Sequence, residues 1–238
     1  MTQRRGERPA RRRGPGPRPR PGGPRGQQDS YALPRDVVAD VRSTARTRAD
    51  EVLRLLGDAV EALERDRAGR AVEAATRAKS LAPRSAAVRE TLGLAHYRAG
   101  SFREALRELQ AYRRMSGRPD QNHLIADCHR ALGAPEKAPP LVQEALRARV
   151  SPEVKAEAAV VGAAALADLG RFEEALSLLR RLPSSPEVAR PYDLRIWYVA
   201  GDVLERAGRR DDAAREFRRI LEHDPDAFDA AERLARLS

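Results

Sequence analysis

The chain has 238 residues, of which 41% are apolar, so it is long enough to bury at least one core. Its single cysteine, Cys128, excludes an internal disulfide, and no apolar run reaches the roughly 18 residues that a membrane-spanning helix needs. Arg4-Arg5 is not followed by the hydrophobic segment of a twin-arginine export signal. We therefore expect a cytoplasmic protein with no membrane partner.

The net charge of +10 is concentrated at the amino terminus. Residues 1–29 hold nine arginines against Glu7 and Asp29, a charge of +7, which leaves +3 for the rest of the chain. Residues 1–33 are rich in Arg, Pro and Gly, and we predict a disordered tail because they cannot build a core and their like charges repel.

The function of the tail has two possible interpretations. Arginine-rich arms often bind nucleic acid by releasing counterions. However, only three of the 45 basic residues of the chain are lysines, and such a bias also follows from a G+C-rich genome. The segment is therefore either a solvating tail or an arm that contacts RNA or the ribosome through its arginines: Arg4, Arg5, Arg8, Arg11, Arg12, Arg13, Arg18, Arg20 and Arg25.

Residues 34–47 are predicted to form a leading helix, since Pro34 suits a helix start and Val37, Val38 and Val41 share one face. The helical pattern resumes at Ala49. We interpret the apolar stripe of this next helix as the seat of the leading helix: Leu53, Leu56, Val60 and Leu63.

From residue 48 onward a helix–turn–helix unit recurs. Each copy has a glycine in its turn, which allows the left-handed conformation that ends a helix, and five residues later an alanine, which allows close helix approach. The glycines are 33, 37 and 38 residues apart, and an earlier copy has Asp66-Arg67 in its turn. The pairs are Gly100 and Ala105, Gly133 and Ala138, Gly170 and Ala175, and Gly208 and Ala213.

This pattern resembles the tetratricopeptide repeat, a helix–turn–helix of about 34 residues. The last unit matches the family pattern at Trp197, Gly201, Ala213, Phe217 and Pro225. The unit at 86–119 matches it at Leu92, Gly93, Gly100 and Ala105, with Arg89 in place of the tryptophan. In the next unit Pro135, Pro139 and Pro140 predict a second helix that starts late or bends. The longer spacings leave a different helical-hairpin solenoid open for the middle units.

The resemblance implies an all-α fold, a right-handed α-solenoid of TPR-like repeats with a disordered amino-terminal tail. The expected order is a tail over 1–33, a leading helix over 34–47, about five repeats over 48–225 and a capping helix over 226–238. Asp226 is the expected N-cap of that last helix.

No catalytic, cofactor or metal site is predicted. The sequence has no phosphate-binding glycine loop, no nucleophile elbow and no HExxH motif. His123, Cys128 and His129 are spaced so that they do not share one face of a helix.

In the tetratricopeptide family, peptides usually bind in a concave groove lined by the first helices of the repeats. Tyrosine beside arginine is typical of peptide-contact surfaces, although each single position also fits an ordinary solvated face. By register, the residues that would line the groove are Glu90, Leu94, Tyr97, Arg98, His123, Asp127, Arg130, Arg195, Tyr198, Asp202, Glu205 and Arg206.

The resemblance thus implies a non-catalytic protein–protein interaction scaffold that binds an unidentified protein or peptide in this groove. The alternative is an RNA- or ribosome-associated factor that uses the tail. The sequence leaves open the oligomeric state, and whether the groove is open or filled by the leading helix.

Overall fold

The computed structural model describes residues 33–182 and 189–237. The predicted tail, with its nine arginines, lies outside these residues except for Leu33. Within the described ranges no strand occurs. The α-helices there are α1 (Arg35–Ala45), α2 (Ala49–Glu64), α3 (Ala68–Leu81), α4 (Ala86–Arg98), α5 (Phe102–Ser116), α6 (Asn122–Ala131), α7 (Ala138–Arg147), α8 (Pro152–Asp168), α9 (Phe172–Arg180), α10 (Pro191–Arg206), α11 (Arg210–His223) and α12 (Ala230–Leu237).

The helices from α2 to α11 form five consecutive helix–turn–helix pairs, beginning with α2–α3 and ending with α10–α11. Each second helix packs on its own first helix and on the first helix of the next pair, as α3 does on α2 and α4. This stacking buries the apolar faces in a series of core clusters along the array. The predicted all-α, right-handed solenoid of TPR-like repeats is thereby confirmed.

The turns within the pairs use left-handed backbone conformations. Gly100, Gly133, Gly170 and Gly208 have φ values of 74°, 81°, 73° and 77°. The first pair has no glycine here, and Asp66 takes the same conformation with a φ of 54°. Asp is among the few residues with a side chain that tolerates this region, so the turn keeps its geometry in every pair.

The second helix of the third pair starts late, as its prolines predict. Pro135–Lys137 forms one short 3₁₀ turn, and α7 begins only at Ala138. Pro139 and Pro140 then occupy the first turn of α7, where their missing N–H groups have no intrahelical partner to lose.

The leading helix α1 lies on the first two pairs. It ends at Ala45, and Arg46, with a φ of 50°, turns the chain into α2. Val41 is fully buried in a cluster with Leu56 of α2 and Val88 of α4. Of the stripe predicted as the seat of this helix, Leu53 and Leu56 belong to that cluster, whereas Leu63 packs with Ala71 and Ala95.

Asp40 fixes the position of α1 relative to α4. Its carboxylate accepts a hydrogen bond from the Ser85 hydroxyl and another from the backbone N–H of Ala87, at 3.1 Å. A carboxylate at this place caps the first turn of α4 and suits the positive end of the helix dipole. The leading helix therefore covers the start of the array and stops at α4.

The last helix begins at Ala230, four residues after the expected cap at Asp226. Phe228 takes a left-handed φ of 58°, and its ring lies 4.7 Å from the ring of Tyr198 on α10. A residue in the left-handed conformation interrupts a right-handed helix, so α12 starts beyond Phe228. None of the helices in the described part of the chain is long and apolar enough to cross a membrane.

Candidate functional site

The side chains of α4, α6, α8 and α10 that contact one another between successive pairs form one surface, which we call the first-helix face. All the residues predicted to line a groove lie on three of these helices. They are Glu90, Leu94, Tyr97 and Arg98 on α4, His123, Asp127 and Arg130 on α6, and Arg195, Tyr198, Asp202, Glu205 and Arg206 on α10.

Many of these residues belong to a chain of polar contacts, which we call the ion-pair ladder. It begins on α4, where the hydroxyl of Tyr97 donates to Asp127 Oδ2 at 2.5 Å. Asp127 also pairs with Arg130, one turn along α6, at 2.9 Å. Arg130 continues to Asp168 on α8 at 3.2 Å. Three successive pairs are thus linked by side chains on one face.

The ladder continues to the end of the chain. Arg206 on α10 pairs with Asp168 at 3.0 Å and donates to the carbonyl of Ala167 at 2.8 Å. Arg233, on α12, then pairs with Asp202 at 3.0 Å and with Glu205 at 2.5 Å.

Many of the residues predicted to line a groove thus take part in contacts within the fold. Burial, followed by the nearby charge of Asp127, raises the pKa of Tyr97, which stays a neutral hydrogen-bond donor. Sequence reasoning missed Asp168 and Arg233. Asp168 could have been found by repeat register, because it lies two residues before Gly170, just as Arg206 lies two residues before Gly208. Arg233 could not have been found in this way, since it lies beyond the last repeat.

Tyr198 is also engaged within the fold. Its hydroxyl donates to Asp229 at 2.7 Å, and its ring packs at 6.0 Å from Phe217 and 4.7 Å from Phe228. Burial and this hydrogen bond raise the pKa of Tyr198 to about 12. The expectation of an exposed tyrosine beside arginine therefore does not fit Tyr198. At the other end of the face, Arg98 lies 3.5 Å from Asp66 and keeps 44% of its side chain exposed, and Leu94 is half-buried.

A second row of side chains runs beside the ladder, nearer the amino-terminal ends of the first helices. Glu90 on α4 accepts a hydrogen bond from the amide of Gln121 at 2.7 Å. Arg195 on α10 pairs with Glu157 on α8 at 2.8 Å. We call Glu90, His123 and Glu157 the acceptor row, because each is a partly buried side chain with a hydrogen-bond acceptor and the three lie on successive first helices.

The acceptor row is held in an unfavourable electrostatic state. Burial raises the pKa of Glu90, and the nearby carboxylates of Asp120 and Asp36 raise it further. Burial also raises the pKa of Glu157, although Arg195 opposes this. A carboxylate with a raised pKa destabilises the fold at neutral pH, because folding removes part of its hydration.

His123 lies between these two acids on α6. Its Nδ1 atom is buried without a hydrogen bond of good geometry to the described part of the chain, although the Asp120 backbone lies close enough to the ring to oppose the effect of burial on its pKa. Burial lowers the pKa of His123, so its ring is neutral at pH 7 and the lone pair on one nitrogen stays an acceptor. A buried acceptor without a donor costs stability, so this row is a candidate for contacts with a ligand.

The charges of the two helix sets differ in sign. The first helices α2, α4, α6, α8 and α10 carry thirteen acidic and seven basic residues. The second helices α3, α5, α7, α9 and α11 carry ten acidic and thirteen basic residues. Most of this difference comes from α2, which lies outside the first-helix face. The helices of the face, α4, α6, α8 and α10, carry eight acidic and six basic residues, so the face is only slightly net negative. Within residues 33–182 and 189–237 no cluster of three metal-binding side chains occurs.

Comparisons with known proteins agree with this architecture. Two family models described as tetratricopeptide repeats match residues 90–153 and 194–237. The matched regions begin inside α4 and inside α10, and they contain α5 to α7, α11 and α12. No curated protein matches the chain.

Solved structures share the fold at low sequence identity. YrrB, described as a TPR protein with an unusual peptide-binding site, is 19% identical, with 81% of this chain and 96% of that one covered and a TM-score of 0.54. TTC0263, a thermophilic TPR protein of Thermus thermophilus, is 20% identical, with 78% and 98% covered and a TM-score of 0.62. The human IFIT1 dimer with m7Gppp-AAAA is 14% identical, with 83% and 51% covered and a TM-score of 0.59.

Proposed function

Because the chain belongs to the tetratricopeptide repeat family, we propose that it is a non-catalytic scaffold that holds a peptide or partner helix on its first-helix face. Tetratricopeptide repeats are in general protein-interaction modules, and the proposal adds the place and the chemistry of binding. The partner would be a segment with hydrogen-bond donors and positive charge. A cytoplasmic location is part of the proposal, since the single cysteine is buried and free.

One observation carries this proposal. The acceptor row is partly buried on α4, α6 and α8, and it holds fewer paired cations than the ion-pair ladder. Glu90 has a neutral amide as its hydrogen-bonding partner, and His123 Nδ1 has none of good geometry in the described chain. Groups that cost folding stability and present acceptors at a surface are typical of binding sites.

The fold neighbours add a weaker argument. YrrB shares this architecture and is described as having an unusual peptide-binding site. At 19% identity the likeness concerns the fold, so it supports the proposal only by showing that such a solenoid can present a peptide site.

The test is a selection of random peptides, displayed on phage, against the full-length protein. Binding of the enriched peptides is then measured for the double variant Glu90→Gln, Glu157→Gln. We expect these two substitutions to weaken binding by about tenfold or more, because each removes a charged acceptor. The matched control is Glu73→Gln, Glu104→Gln, which changes two acids on second helices. Equal binding to both double variants would contradict the proposal.

A second candidate function uses the amino-terminal segment. The nine arginines within residues 1–29 favour an RNA- or ribosome-associated factor. Its test is the salt dependence of RNA binding by the full-length protein and by a chain with these arginines changed to glutamine. We expect the RNA affinity of the parent protein to fall steeply as the salt concentration rises, and that of the arginine-to-glutamine variant to change little. A parent whose RNA binding does not depend on salt would rule this function out.

A further inference from the structure

We propose that residues 1–32 of the chain dock on the first-helix face, across α4, α6 and α8, and compete there with other ligands. This inference rests on the proposed function, since it takes the same face as the binding surface. It adds an occupant from the chain itself, and a form of autoinhibition.

The path of the chain brings this segment to the face. Asp36, at the start of α1, pairs with Arg118 at 3.1 Å, in the connection between α5 and α6. Arg118 also pairs with Asp120 at 2.8 Å, and Asp120 lies close enough to Glu90 to raise its pKa. Residue 32 therefore joins the folded body beside the α4–α6 end of the acceptor row.

The segment is long enough to cross the face. Thirty-two residues reach about 100 Å when extended, at roughly 3.3 Å for each residue. Packed helices lie about 10 Å apart, so the distance from α4 to α8 is on the order of 20 Å. A tethered segment of this kind has an effective concentration of about 1 mM at a site within its reach.

The charges of the segment and the place where it joins the face are complementary. Residues 1–29 carry +7, whereas α4, α6 and α8 together carry five acids against four bases, so the excess of acid is local to the entry point, where Asp36, Asp120 and Glu90 lie near one cation, Arg118. On the face itself, Arg130, Arg195 and Arg206 already pair with acids of α6, α8 and α10. Glu90 has an amide donor instead, and the charges near it are the carboxylates of Asp120 and Asp36 and the guanidinium of Arg118, which already pairs with both of them. A guanidinium group from the segment would supply two donors and one positive charge at this place.

Docking of this kind would regulate the scaffold. A segment that binds with a Kd of about 0.1 mM, at an effective concentration of about 1 mM, lowers the apparent affinity of a competing ligand by about tenfold. Residues 1–32 contain only Glu7 and Asp29 as acids and Tyr31 as an aromatic, so this contact would be electrostatic and sensitive to salt.

The experiment uses the full-length protein with a spin label on a cysteine introduced by Gly16→Cys. Cys128 is fully buried, which protects it from the label. We expect broadening of the amide signals of the first-helix face at about 50 mM salt, and recovery at about 500 mM. The double variant Glu90→Gln, Glu157→Gln should lose most of the broadening, and Glu73→Gln, Glu104→Gln should keep it. Broadening on the second helices, or none at all, would overturn the inference.

Two further measurements separate this proposal from its alternatives. The first measurement mixes spin-labelled molecules with isotope-labelled molecules after nuclease treatment, so that any broadening must come from contact between two copies. Broadening in this mixture would show that the segment docks on a second copy and would overturn docking within one chain. A phage-selected peptide is also titrated into the parent and into the chain with its nine tail arginines changed to glutamine. We expect about tenfold tighter binding to the latter. Equal binding would sink the autoinhibition and leave the proposed function standing, whereas peptide binding that the double variant Glu90→Gln, Glu157→Gln leaves unchanged would sink the proposed function.

Discussion

Glu108 on α5 is a fully buried carboxylate that joins three helices. It accepts hydrogen bonds from Lys79 on α3 at 2.8 Å and from Arg89 on α4 at 2.7 Å, with Arg107 at 3.1 Å. Burial raises the pKa of Glu108, but these hydrogen bonds outweigh it and hold the pKa below the usual value. Arg89 occupies the place of the family tryptophan, so this network replaces an aromatic contact by ion pairs.

We predict that Glu108→Gln lowers the free energy of unfolding by about 2 kcal/mol at pH 7. Since the folded pKa lies below the unfolded value of about 4.3, the contribution of the carboxylate is present above that value and is lost as the pH falls through the folded pKa. Urea unfolding of parent and variant should therefore converge between about pH 4 and pH 2. A difference that does not depend on pH would contradict this account, and Glu104→Gln serves as the exposed control.

Glu90 should behave in the opposite way. Its folded pKa is raised, so protonation favours the folded state, and that contribution is lost as the pH rises through the folded pKa. We predict that Glu90→Gln, which mimics the protonated form, raises the free energy of unfolding at pH 7 and has little effect at pH 3. Thermal unfolding at the two pH values measures this. A loss of stability at pH 7 would show that Glu90 is a structural residue.

These two acids also show what sequence can predict at the scale of a residue. Glu90 was placed on the first-helix face by repeat register, because its position relative to Gly100 fixes the side of the helix. The burial of Glu108 could not be foreseen, since the cations that make it tolerable come from Lys79 and Arg89, 29 and 19 residues away.

At the scale of the element, helix pairs are held close by small residues. A Cβ atom added at Gly93 would lie 2.7 Å from the side chain of Leu109, and one added at Gly201 would lie 2.8 Å from the ring of Phe217. Both contacts join the first and second helices of one pair. The glycines are therefore part of the packing between helices.

Two glycine substitutions should have opposite effects. Gly201→Ala places a methyl group against Phe217 and should lower the free energy of unfolding by about 1–3 kcal/mol. Gly57→Ala, in the interior of α2, meets no atom within 4 Å and should raise it by about 0.5–1 kcal/mol through helix propensity. Thermal unfolding of both variants checks this, and a shift of the same sign in both would contradict it.

Sequence predicted the helix pairs and their turns well, because glycine at a left-handed position is a local signal. The start of α12 was harder to predict. Asp226 is a good N-cap in isolation, but Phe228 takes a left-handed conformation and the helix begins only at Ala230. The ring of Phe228 contacts Tyr198, and such contacts join residues about 30 positions apart and leave no local pattern.

At the scale of the whole molecule, each end of the array is covered by a helix of its own. The beginning is covered by α1 through apolar burial around Val41. The end is covered by α12, where Arg233, 11% exposed, pairs with Asp202 and Glu205 and lies 5.0 Å from the ring of Phe217. In an array whose repeats contact only their neighbours, loss of such a cap acts first on the adjacent repeat.

We predict that Arg233→Ala lowers stability by about 2–3 kcal/mol and does so locally. Hydrogen exchange should accelerate at the amides of α10 and α11 and stay unchanged in α2 and α3. Arg236→Ala, on the exposed side of α12, is the matched control. A uniform acceleration along the chain would mean that the solenoid unfolds as one unit.

The order of the repeats was predictable from sequence, but the ion-pair ladder was not. Register assigned Asp127, Arg130 and Arg206 to one surface, yet it could not say that they would pair with one another and with Asp168. Pairing depends on the distance between successive first helices, and that distance is set by packing residues elsewhere.

The left-handed turns also make one edge of the molecule suitable for engineering. At Gly100, Gly133, Gly170 and Gly208 no atom lies within 4 Å of an added Cβ, so the chain there is surrounded by open space. Lengthening a flexible loop costs only about 0.6 kcal/mol for each doubling of its length. Epitopes, fluorophores or whole domains inserted at these points would lie at the opposite ends of the first helices from the acceptor row, which makes this edge an attachment site for a biosensor.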